Sequence, residues 1–440
     1  MTAGTSSIHS LRKMYENKQA DPLDTLEAAL ARANSNAGHN VYVTQDSEWS
    51  RHEARKLRIG DISAQPLWGV PVSLKDCFDL EGFPTSCGSR FYLEHLGVAT
   101  KDSAIAAKLR AVGAVITGKT HMHQLAYGIT GENRDFGDCV QPLDSARLTG
   151  GSSSGAAASV QEGSAMAAIG TDTGGSIRAP AAFCGVAGYR SSITLNPPSV
   201  WEGGYHLAPS FDTVGWLYRD LADGPLLGRA LFDLPFGMPP ESGALRVGIP
   251  DPKFMGDCEQ DVLETLEWWR DRMEALGVIA GSFDASPWAD AMAIYAPLQA
   301  SEAAALHRGC YEHFEPSIAE RLAWGASLPS QELLRLRQRL VEFRKFTEAL
   351  FAHFDYLLLP CAPMASIVAG ADHSQTRTRI LRYTTPLSLA GLPVVTLSRL
   401  RLGKPGGGMQ LVGPMSGDAA LLALSASLSE KCKIDARLHP

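Results

Sequence analysis

The chain has 440 residues, of which 45% are hydrophobic and 20% are charged, and these proportions are typical of a globular protein with a large core. Its net charge of −7 at pH 7 argues against nucleic acid as a partner. The first residues lack the apolar segment of a signal peptide, and no apolar run is long enough to span a bilayer. We therefore expect a cytoplasmic protein without a membrane partner.

The cysteines are scattered along the chain, without CxxC or disulfide-framework spacing. In a cytoplasmic protein we expect them to be reduced and mostly buried. The eight residues are Cys77, Cys87, Cys139, Cys184, Cys258, Cys310, Cys361 and Cys432.

The first half of the chain alternates predicted strands and helices. Asp21 and Pro22 predict the start of a helix, because aspartate caps helix N-termini and proline is favoured in the first turn. A second helix, capped by Asp102, precedes a strand at 114–117. The other predicted strands lie at 41–44, 67–74 and 165–169. This alternation predicts an α/β fold, with a sheet covered by helices.

The second half begins with a segment rich in Pro, Gly and Trp, residues 191–245, which we expect to wrap the surface. Later strands are predicted at 246–249, 356–360, 393–397 and 409–412, and helices at 262–273, 333–350 and 418–428. The chain contains no internal repeat or linker, so we expect a single domain over residues 1–440.

A glycine-rich turn, Gly170-Thr-Asp-Thr-Gly-Gly-Ser176, follows the predicted strand at 165–169. Gly174 and Gly175 let backbone N–H groups approach a ligand without Cβ atoms in the way. Converging N–H groups of this kind stabilise an oxyanion. The sequence therefore predicts a turn that presents Ser176 to a ligand.

Two further motifs precede this turn. Gly150-Gly-Ser-Ser-Ser-Gly155 is a serine cluster, and Gly69-Val-Pro-Val-Ser-Leu-Lys75-Asp76 places a lysine at the end of a predicted strand. The order of the three motifs, with Ser152 and Ser176 24 positions apart, resembles that of the amidase-signature serine hydrolases. The resemblance runs from about residue 69 to the C-terminal helix. It implies one large mixed β-sheet sandwiched between layers of α-helices, with a signature core at about 66–220.

The resemblance also implies a Ser–cisSer–Lys triad. In it, Lys75 is the general base, Ser152 follows a cis peptide bond and relays the proton, and Ser176 is the nucleophile. The apolar residues before Lys75 favour a lowered pKa, as a base near neutral pH requires. The implied reaction is hydrolysis of a carboxamide C–N bond to a carboxylic acid and ammonia or an amine, through an acyl-enzyme on Ser176 and without a cofactor. The implied oxyanion hole consists of the backbone N–H groups of Thr173, Gly174, Gly175 and Ser176.

Supporting roles fall to residues beside the triad. We expect Asp172 and Arg178 to brace the turn through hydrogen bonds, and Ser153 to support activity through local hydrogen bonding. Ser152 has a second interpretation, as the N-cap of a helix that begins at Gly155. Alternatively, Ser152 is the relay and Ser153 or Ser154 is the cap.

The sequence features also bear on several alternative functions. Gly151-Ser-Ser-Ser-Gly155 fits the nucleophile elbow of an α/β-hydrolase esterase, but that motif needs a preceding strand, and residues 141–147 are poor strand sequence. A nucleotide-binding loop would need a P-loop or G-x-G-x-x-G signature, which the sequence lacks. The intact triad disfavours a catalytically silent binding protein. The glutaminase (A) subunit of a tRNA-dependent amidotransferase is disfavoured by a compact chain, and by His121-Met-His-Gln124 in place of an acidic stretch.

The sequence also bears on metal ions, on partners and on the substrate pocket. His121 and His123 share a strand face, but without a third ligand we predict no metal site. The predicted partner is a small-molecule amide. The sequence does not decide whether the protein forms a homodimer. We expect the helical segment 255–385 to contribute to the substrate pocket. The predicted pocket residues are Cys77, Tyr127, Ile129, Tyr295, Gln299 and Arg382.

Overall fold

The computed structural model describes residues 7–57, 61–237, 245–401 and 404–431. The strands are β1 (Tyr42–Thr44), β2 (Pro71–Lys75), β3 (Val115–Thr120), β4 (Val140–Gln141), β5 (Asp144–Leu148), β6 (Ala167–Asp172), β7 (Ala187–Arg190), β8 (Thr213–Tyr218), β9 (Arg246–Pro250), β10 (Ile279–Phe283), β11 (Tyr356–Pro360), β12 (Ile367–Val368), β13 (Val394–Arg401) and β14 (Lys404–Val412). The helices are α1 (Ile8–Glu16), α2 (Pro22–Ser35), α3 (Ser47–Lys56), α4 (Arg90–His95), α5 (Ala104–Ala111), α6 (Ser154–Glu162), α7 (Arg178–Cys184), α8 (Gly224–Phe232), α9 (Gln260–Ala275), α10 (Ala291–Leu306), α11 (Pro316–Ser327), α12 (Ser330–Ala349), α13 (Thr376–Ala390) and α14 (Asp418–Lys431).

Within these residues, eleven strands form one mixed sheet in the order β1-β3-β2-β6-β8-β7-β13-β14-β11-β9-β10. The pairs β3–β2, β2–β6, β11–β9 and β9–β10 are parallel, and the strands from β6 to β11 through the centre pair antiparallel. The short strands β12, β5 and β4 form a separate antiparallel sheet. The predicted α/β fold with a large mixed sheet is confirmed.

The strands near the motifs are buried along their whole length, namely β2, β3, β6 and β8. Successive side chains of a strand point to opposite faces, so both faces of the sheet need a cover. Helix α6 packs against β2, β6 and β8, whereas α9 and α14 pack against β14. None of the described helices combines the length and apolar character that crossing a membrane requires.

The segment 191–245 corrects the sequence prediction, because it does more than wrap the surface. It contains β8, which lies in the centre of the sheet between β6 and β7. Val214 and Trp216 of β8 are buried. The many Pro and Gly residues around this strand mask its short apolar run in the sequence. Residues 238–244 of the segment lie outside the described residues.

Smaller differences concern the ends of elements. Asp21 caps α2 as predicted, with its Oδ1 accepting the Leu23 N–H. The cap of α5 is Ser103 rather than Asp102, which instead pairs with Arg110 at 2.9 Å. Strand β2 begins at Pro71 rather than at residue 67, and strand β5 overlaps the segment 141–147, which was predicted to be poor strand sequence.

The described cysteines are free thiols, and five of these seven are buried. Cys432 lies outside the described residues.

Candidate active site

Lys75 and Ser152 meet at the carboxyl end of β2. The Nζ atom of Lys75 donates hydrogen bonds to Ser152 Oγ at 2.8 Å and to Thr171 Oγ1 at 2.7 Å. The peptide bond between Gly151 and Ser152 is cis. Burial lowers the pKa of Lys75 to about 8, although Cys77 and two carboxylates act in the opposite direction. The site therefore holds a desolvated lysine in hydrogen-bond contact with a serine hydroxyl.

Sequence reasoning did not identify Thr171, the second acceptor of Lys75. Strands β2 and β6 are parallel neighbours, with Leu74 opposite Ile169, so the residues that follow in the two strands lie side by side. This pairing brings the Thr171 hydroxyl to the lysine. The sequence indicates where each of the two strands ends, but only the strand order shows that these ends are neighbours.

Ser176 lies in the turn between β6 and α7 and is 4% exposed. Its backbone oxygen accepts the N–H of Ser153 at 3.1 Å, which joins the glycine turn to the serine cluster. Ser176 lines a narrow cavity together with Thr173 and Gly174. Hydrogen bonds of Lys75 and of Ser153 thus connect the three sequence motifs.

Asp172 is the anchor of the turn. Its carboxylate accepts hydrogen bonds from the N–H groups of Gly175 and Ile177 at 2.8 and 3.1 Å. It also pairs with Arg178 at 2.9 Å and with Arg190 at 3.0 Å, and all three side chains are fully buried. Burial alone would raise the pKa of Asp172, but the two guanidinium groups outweigh it and hold this pKa well below its ordinary value.

Arg178 extends this network to two other elements. Its guanidinium donates to Ser388 Oγ at 2.6 Å and to Gln410 Oε1 at 2.7 Å. The turn is therefore tied to α13 and to β14. Asp172 and Arg178 thus connect the turn to the surrounding elements through buried hydrogen bonds and an ion pair.

The backbone donors of the turn differ in what they contact. The N–H of Gly175 donates a hydrogen bond to the Asp172 carboxylate and does not face the cavity. The oxyanion-hole prediction requires this N–H to face the cavity, so the prediction is wrong for Gly175. Thr173, Gly174 and Ser176 line the cavity. Only glycine fits at position 174, where a Cβ would lie 2.4 Å from Tyr295 Oη. The oxyanion-hole prediction accordingly rests on these three residues.

Ser153 is a buried residue at the start of α6 and not an exposed nucleophile. The Oγ of Ser153 is buried and donates to the backbone oxygen of Thr171 at 3.2 Å. Helix α6 begins at Ser154, so the N-cap position belongs to Ser153 and not to Ser152, and the Ser153 side chain makes no capping bond. Strand β5 ends at Leu148 but belongs to the separate small sheet. A strand thus precedes the G-x-S-x-G string, yet its central serine is held against β6 and is not presented to a ligand.

The cavity at Ser176 has a volume of about 10 Å³, close to the smallest space that holds one water molecule. Four of the predicted pocket residues line it, and two do not. Cys77 is buried outside it, and Arg382 lines a different cavity of about 910 Å³, where it pairs with Asp257 at 2.8 Å. The lining residues are Ala126, Tyr127, Gly128, Ile129, Thr173, Gly174, Ser176, Leu207, Tyr295, Gln299, Arg377 and Leu381.

Arg377 is the charged residue of this cavity that the sequence analysis missed. Its guanidinium lies 3.4 Å from Gln299 Oε1 and 5.9 Å from the centre of the Tyr127 ring. The amide of Gln299 donates to Tyr295 Oη at 2.6 Å. Arg321 stacks on the same Tyr127 ring at 4.3 Å. One wall of the cavity is therefore polar and positively charged.

The two histidines have separate structural partners. His121 Nε2 is hydrogen-bonded to the backbone oxygen of Gly137 at 2.8 Å, and burial lowers the pKa of His121 to about 4. His123 Nε2 lies 3.3 Å from Glu315 Oε1. Across the described ranges, no group of three or more His, Cys, Asp or Glu residues is arranged to hold a metal ion.

Comparisons with known proteins identify the family and the fold. The Amidase family model matches residues 24–422. A glutamyl-tRNA(Gln) amidotransferase subunit of Moorella thermoacetica is 29% identical over 98% of this chain and 97% of its own length. The AtzE component of 1-carboxybiuret hydrolase from Pseudomonas sp. is 30% identical over 84% of this chain and 86% of its own. The crystal structure of an amidase, 29% identical, superimposes with a TM-score of 0.87 over 97% of this chain and 99% of that chain.

The match to the Moorella protein corrects one expectation, because a chain that covers 97% of that protein is not too compact to resemble an amidotransferase subunit. The family match extends over most of the chain. The resemblance predicted from the three motifs is confirmed. The chain belongs to the Amidase family, and it is an amidohydrolase that cleaves the C–N bond of an amide.

Proposed function

We propose that the chain hydrolyses a small carboxamide with Ser176 as nucleophile, Ser152 as proton relay and Lys75 as general base. The observation that carries this proposal is the hydrogen bond from Lys75 Nζ to Ser152 Oγ, at 2.8 Å, in a buried site adjoining the Ser176 turn. A desolvated lysine is a suitable base because burial disfavours its charged form. With a pKa of about 8, roughly one-tenth of Lys75 is neutral at pH 7, far more than for an exposed lysine.

The proposed reaction has two halves. In the first, neutral Lys75 takes the proton of Ser152 as Ser152 takes that of Ser176, and Ser176 Oγ attacks the amide carbonyl. The N–H groups of Thr173, Gly174 and Ser176 stabilise the resulting oxyanion. The intermediate collapses, the C–N bond breaks, and the leaving amine takes a proton back through Ser152. In the second half, water attacks the acyl-enzyme by the same proton route and releases the carboxylic acid.

The cavity also indicates which amides bind. Among the described residues that line it, Arg377 is the one that carries a charge, and no carboxylate lines it. Gln299 and Tyr295 add further polar groups on the same wall. We therefore propose a substrate with a carboxylate or a carbonyl oxygen near the scissile amide. The name of the relative AtzE refers to such a carboxylated compound.

Ammonia release by the purified chain tests the proposal. Matched pairs of small amides, with and without a carboxylate near the amide, are offered to the wild type and to Ser176→Ala, Ser152→Ala and Lys75→Ala. We expect the carboxylated members to be hydrolysed faster and the Ser176→Ala variant to be inactive. A fluorophosphonate probe, located by peptide mass spectrometry, should label Ser176. Labelling of Ser153, or full turnover by Ser176→Ala, contradicts the proposed nucleophile.

A second candidate is a glutaminase subunit that works with partner proteins, favoured by the similarity, along nearly the whole chain, to the amidotransferase subunit of Moorella. A free-standing amidase hydrolyses its substrate as a purified chain. A glutaminase component would instead show weak turnover of glutamine alone, which rises when its partners are added. Comparison of glutamine with the other small amides in the same ammonia assay separates the two functions.

A further inference from the structure

Asp212 lies where two central strands come together beside the nucleophile turn. Strand β8 runs antiparallel to β6, with Thr213 opposite Asp172. The residue before β8 therefore lies next to the residue after β6, and these residues are Asp212 and Thr173. Their side chains are in contact, because Thr173 Oγ1 donates a hydrogen bond to Asp212 Oδ1 at 2.6 Å.

The second oxygen of Asp212 holds a different segment. Asp212 Oδ2 accepts the backbone N–H groups of Leu207 and Ala208 at 2.9 and 3.0 Å, and it lies 2.9 Å from His206 Nδ1. The Asp212 residue is only 2% exposed. Leu207 and Thr173 both line the cavity at Ser176. One buried carboxylate thus connects two walls of the active-site cavity.

The charge of Asp212 is less neutralised than that of its neighbour Asp172. Asp172 is paired with two buried guanidinium groups. For Asp212, the one ion-pair partner among the described residues is His206, and that pair is charged on both sides only when the imidazole is protonated. Both carboxylates act on the Lys75 ammonium and favour its charged form.

We propose that Asp212 is a positioning residue for the reaction assigned above: its hydrogen bonds hold Thr173 and Leu207 around Ser176. This role rests on the proposed function. Because a nearby negative charge stabilises an ammonium, Asp212 raises the pKa of Lys75 and opposes the lowering by burial. Loss of the charge should therefore make Lys75 neutral at lower pH. The other titratable groups that act on Lys75 are Cys77, Cys87 and Asp172.

Two substitutions separate the charge from the hydrogen bond. Asp212→Asn removes the charge and keeps the shape, so the acid limb of the kcat/KM profile should move to lower pH. Thr173→Val removes the hydrogen bond and leaves the charge, so its acid limb should stay in place. Because a hydrogen bond to a charged group corresponds to roughly 10-fold or more in an equilibrium constant, we expect kcat of Thr173→Val to fall about 10-fold, with a smaller change in KM. The profiles are recorded with the best amide of the panel.

The outcomes distinguish a failure of the role proposed for Asp212 from a failure of the proposed function. An acid limb of Asp212→Asn that stays in place or moves to higher pH overturns the electrostatic role, and wild-type kcat in Thr173→Val overturns the positioning role. If Asp212→Asn does not fold, judged by circular dichroism, Thr173→Val alone decides whether Asp212 positions the turn. Full turnover by Ser176→Ala would instead refute the proposed function itself. With Ser176→Ala inactive and both other variants like the wild type, only the role of Asp212 is refuted.

Discussion

The buried carboxylate of Asp172 offers the sharpest test of what holds the site together. In Asp172→Asn the side chain keeps its shape, but Arg178 and Arg190 lose the charge that they both contact, at 2.9 and 3.0 Å. Both guanidinium groups are fully buried, so water does not replace the lost partner. Removal of one member of a buried ion pair costs about 3–5 kcal/mol of the free energy of unfolding. The bonds from Gly175 and Ile177 weaken as well, but their loss is not additive with that of the ion pairs.

The control is the same substitution in an exposed pair. Asp290 contacts Arg339 at 2.7 Å, closer than either ion pair of Asp172, but its side chain is 67% exposed. Water screens such a pair, so Asp290→Asn should cost about 0–1 kcal/mol. The free energy of unfolding is measured for both variants by urea titration followed by circular dichroism. If Asp172→Asn is no less stable than Asp290→Asn, then the buried network does not hold the turn and the physical account given for it is wrong.

Three further predictions concern activity. The kcat/KM value should fall on acidification with a midpoint near pH 8, because Lys75, with a pKa of about 8, accepts a proton only when neutral; a profile that is flat down to pH 5 contradicts this. Lys75→Ala should lose nearly all turnover, whereas Lys108→Ala, in an exposed pair with Asp233, should keep it. Arg377→Ala should raise KM for carboxylated amides at least 10-fold, since a charge-assisted hydrogen bond is worth about 1.5–3 kcal/mol. Arg382→Ala should leave this KM unchanged, and equal effects of the two substitutions would refute the role of Arg377.

The choice of Lys108 as a control follows from the structure. Lys119 is the other lysine near the motifs, and from the sequence alone it is the natural comparison for Lys75. It is fully buried and pairs with Asp76 at 2.7 Å. Substitution of Lys119 by alanine leaves a buried carboxylate without its partner, which is strongly destabilising. Loss of activity in that variant would therefore report on folding and not on proton transfer.

The motifs could be identified and the fold class predicted from the sequence, because both depend on local patterns. Strand ends, glycine turns and an apolar run before a lysine are visible in short stretches, and in the structure hydrogen bonds of Lys75 and of Ser153 connect the three motifs. Strand β8 was missed because its flanking residues resemble a loop. Asp212 and Thr171 were missed for a related reason: their contacts arise from which strands are neighbours, and strand order is not a local property.

The pocket prediction failed at Arg382 for a reason that the geometry of α13 explains. Charge alone does not distinguish Arg377, Arg379 and Arg382, which occupy the same stretch of one helix. Residues 377, 381, 384 and 388 recur at helical spacing and form one face. On that face, Leu381 lines the cavity, Thr384 donates to the backbone oxygen of Gly174, and Ser388 accepts from Arg178.

Arg379 and Arg382 belong to the opposite face of α13, where both pair with Asp257. The same helix therefore closes the active-site cavity on one side and forms part of a larger surface cavity on the other. Once a single contact of α13 is known, such as that of Thr384 with the turn at Ser176, the helical period places Arg377 at the cavity and Arg382 away from it. One tertiary contact is thus enough to predict which of the three arginines lines the cavity.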